Sequence, residues 1–403
     1  MIEHIEIEGF KSLRKVSLDL GPFNLFIGAN ASGKSNFFDA LRVLQGIGYG
    51  FTIDEIFNGK PKGAASETWE PIRGGSANAA TVDCHTGRSC SEMRFAVRIG
   101  FAHAAETAQY EIRLTAAPPS VTHESLRLGD KVVFDTAMWD KAWLAPAQPI
   151  LAGPFYGSYR AFGVLPNQPS TIPDLMGHVG SPDRIGPCAE VLKDVQFLNP
   201  RSTVLREYSS ATSVKRMGEH GENFAALVKW IMADRGSPEA YGHWLKGLTP
   251  AEFDEVKTLK GAQEDYLFAF RKNTKDFPAS VVSDGTLRFA ALVAAFFQPE
   301  LPHALLLEEI ENGIHPSRLH TLLELLKSQS GHPRPQTFAT THSPLVVAWL
   351  DEADYKTTFL CSKSEETGYT TITPLSEIPR FVELARKQPA SELFAEGWLE
   401  NAL

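Results

Sequence analysis

Three stretches of the chain carry residue types at spacings that can do chemistry. The first, Gly28-Ala29-Asn30-Ala31-Ser32-Gly33-Lys34-Ser35, fits G-x-x-x-x-G-K-[ST]. In that pattern backbone N–H groups wrap phosphate oxygens, the lysine reaches the outer phosphates and the serine hydroxyl binds a divalent cation. The second is Glu308-Glu309, two adjacent carboxylates that follow the apolar run Pro302-His303-Ala304-Leu305-Leu306-Leu307. One member of such a pair can hold the cation through a water, while the other orients or deprotonates an attacking water. The third is His342, which with Ser343 and Pro344 follows Thr337-Phe338-Ala339-Thr340-Thr341. An imidazole there is suited to donate a hydrogen bond to a terminal phosphate or to the attacking water. Each also has a plain structural reading: a glycine turn, two surface glutamates, a structural histidine. The elements around them decide.

Before the glycine loop, Phe23-Asn24-Leu25-Phe26-Ile27 reads as a short apolar strand, and residues 36–44 after it have the spacing of a helix with one buried face. Strand, loop and helix form the geometry that phosphate binding requires, because the helix N-terminus adds free N–H groups and a positive dipole end. Residues 302–307 read as a buried strand and 337–341 as another strand, so the carboxylate pair and the histidine both sit where a strand ends. A fourth stretch is weaker alone. Ser283-Asp284-Gly285-Thr286 precedes an apolar helix over 289–297; Ser283 can cap that helix, and Gly285 lets backbone N–H groups approach an anion closely.

Of the 403 residues, 43% are hydrophobic and 22% charged, the balance of a globular protein with a sizeable core. A net charge of −9 leaves no overall basic field for DNA or RNA, so a nucleic-acid contact would need a local patch. Cys84, Cys90, Cys188 and Cys361 form neither a C-x-x-C pair nor a zinc spacing, as expected of ordinary thiols in a reducing cytoplasm. Residues 1–8 alternate like a half-buried strand and lack the basic start and apolar run of a signal peptide. With no run of 18 or more apolar residues, no transmembrane helix and no membrane partner are expected.

Two strands, ending at residues 13 and 20, precede the strand that feeds the glycine loop, and residues 46–80 read as long loops or short helices. An antiparallel meander is predicted at 93–101, 110–114, 124–128 and 131–134. A Pro/Gly-rich run over 146–187 leads to a region of helical pattern with helices at 189–198 and 222–231, read as an insertion or lid without coiled-coil heptads. Basic residues there and just beyond (Arg201, Arg206, Lys215, Arg216, Lys257, Lys260, Arg271, Lys272, Lys275) read as a local nucleic-acid or partner surface, or as a solvated face balanced by acids. A strand at 357–360, a hairpin through Gly368 and an amphipathic end close the chain. The expected domains are 1–145 with the glycine loop and meander, 146–280 with the connection and helical insertion, and 281–403 with the acidic and histidine motifs.

Taken in order, these motifs resemble the ABC-type ATPase heads of the RecF, SMC and OLD proteins, and most closely the stand-alone RecF-like AAA-family ATPases of bacterial defence systems. Ser283-Asp284-Gly285-Thr286 resembles their signature, and Glu308-Glu309 the end of Walker B. Glu311-Asn312-Gly313-Ile314-His315-Pro316 looks like the D-loop region, and Thr341-His342-Ser343 like the switch. Ile7-Glu8-Gly9-Phe10-Lys11-Ser12-Leu13, Gly221-Glu222-Asn223 and Phe394-Ala395-Glu396-Gly397-Trp398-Leu399 are similar as well. The resemblance implies an α/β P-loop NTPase fold, an ABC-ATPase-like head with an antiparallel β subdomain and a helical insertion.

It also implies ATP and Mg2+. By it, Gly28, Asn30, Ala31, Ser32, Gly33, Lys34, Ser35 and Asn36, with Lys11 and Ser12, would bind the nucleotide; Ser35 and Glu308 would hold Mg2+; Lys34, Glu309 and His342 would act in hydrolysis. Ser283 and Gly285 would meet the γ-phosphate held by another protomer, which implies a homodimer of heads or a higher homo-oligomer. Two departures stand out: Glu308 occupies a position where Asp is common, and Ile310 one where proline often follows. Slow hydrolysis is the expected consequence. OLD proteins carry a Toprim nuclease after the ATPase, whereas about 60 residues follow His342 here, too few for another ordinary domain. The implied role is a sensor, scaffold or regulator for a separate effector, a nuclease or toxin, in anti-phage defence or DNA maintenance. An ATP-binding interaction module with little hydrolysis stays open because of Glu308. A transporter energy subunit fits less well with the opening strand, the Thr-His-Ser switch and the central insertion.

Overall fold

The N-terminal alternation produces β1 (Ile2–Phe10), with Ile5, Ile7 and Phe10 buried between half-exposed Glu6 and Glu8. The computed structural model of the chain describes residues 1–60, 69–101, 106–138, 185–210, 214–233, 237–246 and 253–402. Within them the chain continues through β2 (Leu13–Asp19), β3 (Phe23–Ile27), α1 (Lys34–Tyr49), α2 (Ile53–Asn58), β4 (Met93–Ile99), β5 (Ala108–Ala116), β6 (Pro119–Leu128), β7 (Lys131–Asp135), α3 (Ile185–Lys193) and β8 (Val195–Leu198). It proceeds through α4 (Ser202–Leu205), β9 (Ser209–Ser210), α5 (Phe224–Ile231), α6 (Pro238–Lys246), β10 (Glu255–Lys260), β11 (Asp265–Lys272), β12 (Lys275–Pro278), α7 (Asp284–Ala294), β13 (Ala304–Leu307), α8 (Pro316–Ser328), β14 (Gln336–Thr341), β15 (Thr358–Lys363) and β16 (Thr370–Pro374), before short terminal helices.

The chain forms two compact units. The first comprises Met1–Gly21, Gly28–Val195 and Leu360–Pro374. Its sheet is antiparallel throughout, in the order β2-β1-β4-β5-β6-β7. The predicted meander is thus joined to the first strands: Arg94 of β4 stands opposite Glu8 of β1, and Ile99 opposite Ile2. Arg94 ties three strands together, reaching Glu6 of β1 at 2.5 Å and Glu111 of β5 at 2.8 Å. Helix α1 runs to Tyr49, beyond the predicted end at residue 44. The glycines that read as a loop signal are packing contacts instead, since a Cβ on Gly48 would lie 2.5 Å from the backbone N of Lys193 in α3.

The predicted helix over 189–198 is corrected by the structure: it ends at Lys193, and Val195–Leu198 is a strand. Gln45 of α1 explains the break. Its Nε2 donates to the carbonyls of Lys193 (3.3 Å) and Val195 (2.5 Å), so these acceptors are satisfied without a further helical turn. Most of the Pro/Gly-rich run 146–187 lies outside the described residues, as do residues 61–68 of the 46–80 stretch.

The second unit comprises Pro22–Ile27, Gln196–Phe359 and Leu375–Leu403. Its central strands β3, β14 and β13 are parallel neighbours, with Phe23–Ile27 in register with 337–341, and Ala304–Leu307 with 336–339. Every residue of these three strands is buried, the continuous pattern of parallel strands covered on both faces. Residues 196–198 of β8 continue the sheet beyond β13. A separate antiparallel sheet, β10-β11-β12 with β9 against β11, occupies residues from which the sequence had yielded only basic positions. Many of those are paired: Lys257 and Arg271 with Asp276, Lys260 with Glu264, Lys215 with Glu300 and Arg206 with Asp284. The balanced-face reading describes these residues. Among the described residues no helix is long and apolar enough to cross a membrane.

Candidate functional site

The glycine loop leaves β3 at Ile27 and enters α1 at Lys34, the strand, loop and helix that its motif demands. Gly28, Ala31 and Gly33 hold φ values of 148°, 65° and 105°, so the loop is built from conformations that bulky side chains resist. Space imposes the same choice. A Cβ on Gly28 would lie 2.4 Å from the carbonyl oxygen of Cys361, and one on Gly33 2.1 Å from Oγ1 of Thr370. Lys34 is buried, and its Nζ donates to the carbonyls of Gly28 (2.7 Å) and Ala29 (2.8 Å), curling the loop around the ammonium.

A hydroxyl and amide chain secures this arrangement. Thr370 Oγ1 donates to the carbonyl of Ser32 (3.0 Å) and lies 2.7 Å from Ser12 Oγ, which accepts from Asn36 Nδ2 at 2.6 Å. Lys11, with φ 49°, pairs with buried Asp39 on α1 and donates to the carbonyl of Arg73 at 2.8 Å. Burial pushes the Lys11 ammonium below its ordinary range, while Asp39 opposes that shift. Beside Lys34, burial pushes the Cys361 thiol up to about 12, so it stays a neutral wall of the loop.

In the second unit, the parallel register aligns the carboxyl ends of three strands: Ile27 opposite Thr341, and Leu307 opposite Ala339. The chain leaves those ends into Gly28, Glu308 and His342 respectively. Such carboxyl ends are where open α/β sheets present ligand-binding loops. Glu309 has φ 48°, and its N–H donates to Thr340 Oγ1 at 2.9 Å. Its carboxylate accepts from Asn312 Nδ2. The backbone of the pair is anchored by Arg288 of α7, whose Nη2 donates to the carbonyls of Glu308 (2.9 Å) and Glu309 (3.2 Å) and whose Nη1 donates to Asn199 Oδ1 and the Pro200 carbonyl. Burial pushes this guanidinium below its usual range, against the pull of Glu309, Glu311 and Glu308. His342 is held by Glu311: its N–H donates to Oε1 at 2.6 Å, and its Nδ1 lies 3.0 Å from the same oxygen.

Ser283 caps α7 as predicted, its Oγ accepting from the Thr286 N–H. Arg318 of α8 adds a 2.7 Å bond to Thr286 Oγ1. Gly285 has an internal reason to be glycine, because a Cβ there would lie 1.9 Å from the carbonyl oxygen of Gly313. The turns at Ser283–Thr286 and at Gly313 are therefore in close backbone contact.

The predicted residues fall into two groups. Lys11, Ser12, Gly28, Asn30, Ala31, Ser32, Gly33, Lys34, Ser35 and Asn36 belong to the first unit, and Ser283, Gly285, Glu308, Glu309 and His342 to the second. Sequence reasoning missed Thr370, Thr340 and Arg288 as supports, and Glu311 as the partner of His342. Only Arg288 carried a signal, as a cation in the otherwise apolar run 287–297, where a charge needs partners.

The loop fits a phosphate chain on its own evidence. Its glycines allow the tight positive-φ turn that brings backbone N–H groups close to an anion, its lysine is in place, and the hydroxyl of Ser32 is buried without a hydrogen-bond partner. Among the described residues no cluster of three or more His, Cys, Asp or Glu side chains could hold a metal alone. A magnesium ion that takes most of its oxygens from phosphates and water needs only one or two protein ligands, and Ser35 offers a hydroxyl in the first turn of α1.

Two family models match the chain. One, described as "AAA domain, putative AbiEii toxin, Type IV TA system", matches residues 195–348, and an AAA ATPase domain model matches residues 1–58. Among curated proteins none matches. Among solved structures, an SMC head bound to the C-winged helix domain of ScpA aligns at 15% identity and TM-score 0.50, covering 93% of this chain and 99% of that one. The SMC head domain from Thermotoga maritima aligns at 15% identity and TM-score 0.44, covering 93% and 98%. An SMC head with an extended coiled coil, bound to the C-terminal domain of ScpA from Pyrococcus furiosus, aligns at 14% identity and TM-score 0.48, covering 96% and 99%.

Proposed function

We propose, from the premise that this chain is an ABC/SMC-like ATPase head, that it binds ATP with Mg2+, hydrolyses it slowly, and uses the nucleotide to join two heads. The observation that carries this reading is the parallel register of β3, β14 and β13, which aligns the strands leading to Gly28, His342 and the Glu308-Glu309 pair. In this reading Lys34, Ser32 and the N–H groups opening α1 receive phosphate oxygens, and Lys34 exchanges its carbonyl partners for them. Ser35 and Glu308 would hold Mg2+, which would supply charge neutralisation at the phosphates. Glu309, steadied by Asn312, takes the proton of the attacking water. His342 donates to the terminal phosphate or to that water.

Ser283 and Gly285 would complete the site of a second protomer, giving a homodimer of heads or a higher homo-oligomer. We further propose a sensor, scaffold or regulatory role toward a separate effector, a nuclease or toxin, in a cytoplasmic defence or DNA-maintenance system. Two comparisons support that reading: the toxin–antitoxin description attached to one matching model, and the partner domain seated on the SMC head of the structural neighbour. A second reading, an interaction module that binds ATP with little turnover, is favoured by the longer carboxylate Glu308 at a metal position.

Dimer formation tests the shared-site reading. In sedimentation with ATP and Mg2+, Glu309→Gln is expected to form dimers that vanish when ATP is withheld. Monomers at every nucleotide concentration would contradict it.

A further inference from the structure

We infer that Glu311 is a positioning residue, one that fixes the imidazole of His342 and thereby its working nitrogen. The inference rests on the hydrolytic reading above but adds a residue that this reading does not use. Glu311 lies two residues beyond Glu309, in the turn between β13 and α8, and its side chain is only 8% exposed. Its Oε1 accepts the backbone N–H of His342 at 2.6 Å and faces the imidazole Nδ1 at 3.0 Å. The ring itself is 39% exposed, so it is open on the side away from this carboxylate.

A second observation makes the pairing more than a loop contact. Oε2 of Glu311 and Nδ1 of His342 are both buried and make no geometrically complete hydrogen bond. A buried ring nitrogen is costly when left alone, and a small ring rotation would let Nδ1 bond the Glu311 carboxylate, whose Oε1 lies 3.0 Å away. A carboxylate beside Nδ1 favours the tautomer with the proton on Nδ1, which directs Nε2 to the exposed side. A donor at Nε2 requires the doubly protonated ring, whose Nδ1–H would face the same carboxylate. One carboxylate thus straps His342 by its backbone and sets the chemistry of its ring. Glu309 is engaged separately, by Asn312, so the two acids of this turn have different partners.

The two functions of Glu311 are separable. In Glu311→Gln the amide oxygen can still accept the backbone N–H, but the charge beside Nδ1 is gone; Glu311→Ala removes both. Long-range proton–nitrogen NMR on the full chain labelled at its 12 histidines, with His342 assigned through His342→Gln, reads the tautomer directly. The wild-type signal is expected to report a protonated Nδ1, and Glu311→Gln to lose that signature with the melting temperature kept. In parallel, Glu311→Gln is expected to lower ATP turnover by about 10- to 100-fold with KM unchanged within about twofold. An unchanged His342 signal together with unchanged turnover overturns the inference. If Glu309→Gln abolishes turnover while Glu311→Gln does not, the hydrolytic reading stands and this inference fails. If neither wild type nor variants turn over ATP, the hydrolytic reading fails, and the NMR signature alone still decides the pairing.

Discussion

In the proposed reading, Lys34 is the residue on which nucleotide binding turns. Its ammonium already bonds two loop carbonyls, so the loop is shaped around a cation before any anion arrives. Charge-assisted hydrogen bonds are worth more than neutral ones, about 1.5–3 kcal/mol each. Lys34→Ala is therefore expected to weaken ATP binding by about 100-fold or more in a direct titration, and retained affinity would count against the loop as the phosphate site. The glycines, lysine and carboxylates were legible in the sequence because their chemistry needs fixed types at fixed spacing. Thr370 was not, since its hydroxyl reaches Ser32 and Ser12 only through folding that brings residues more than 330 positions apart together. Glu311 was visible as part of a motif, but its partner His342 depends on how β13 and β14 lie side by side. Gly285 shows the opposite case. Its type was read as room for an anion, and the structure supplies a nearer cause in the carbonyl of Gly313.

At the scale of elements, buried strands were the most legible: β13 is apolar from end to end and β3 in all but Asn24, while β14 carries β-branched threonines around Phe338 and Ala339. Helix ends were read less well, as α1 and α3 illustrate. Local sequence treats a glycine as a break, whereas Gly48 is the point where α1 meets α3. An isolated helix would gain about 1 kcal/mol from Gly48→Ala. Here the added methyl meets backbone at 2.5 Å, a clash that costs about 1–3 kcal/mol. Gly48→Ala is thus expected to lower the melting temperature, and a rise would mean that α1 and α3 do not approach so closely. The antiparallel sheet carries an electrostatic counterpart. The bonds to Arg94 hold Glu6 below the ordinary carboxylate range; for Glu111 burial works the other way, but its bonds to Arg94 and Arg113 prevail. A depressed carboxylate stabilises the fold above its unfolded value, 4.5 for glutamate, and loses that contribution as pH falls through the folded one. The stability gap between wild type and Arg94→Met, read by urea unfolding, should therefore be largest at neutral pH and close on acidification. A gap that is the same at pH 7 and below pH 4 would contradict this account.

At the scale of the whole molecule, motif order was the strongest guide. Loop, signature, acidic pair and histidine lie far apart in sequence, and the ATPase-head fold gives that order a meaning that no motif has alone. The basic residues of the central region that pair with acids leave less unbalanced positive charge for a broad nucleic-acid surface among the described residues there. The proposed function turns on hydrolysis, which would let a joined pair of heads separate while ATP is still present. Phosphate release by wild type and Glu309→Gln, each with and without Mg2+, tests this most directly. Wild type is expected to turn over ATP only with Mg2+, and Glu309→Gln to be slower by about 100-fold or more while still binding ATP. Equal and negligible turnover in both proteins would contradict the account.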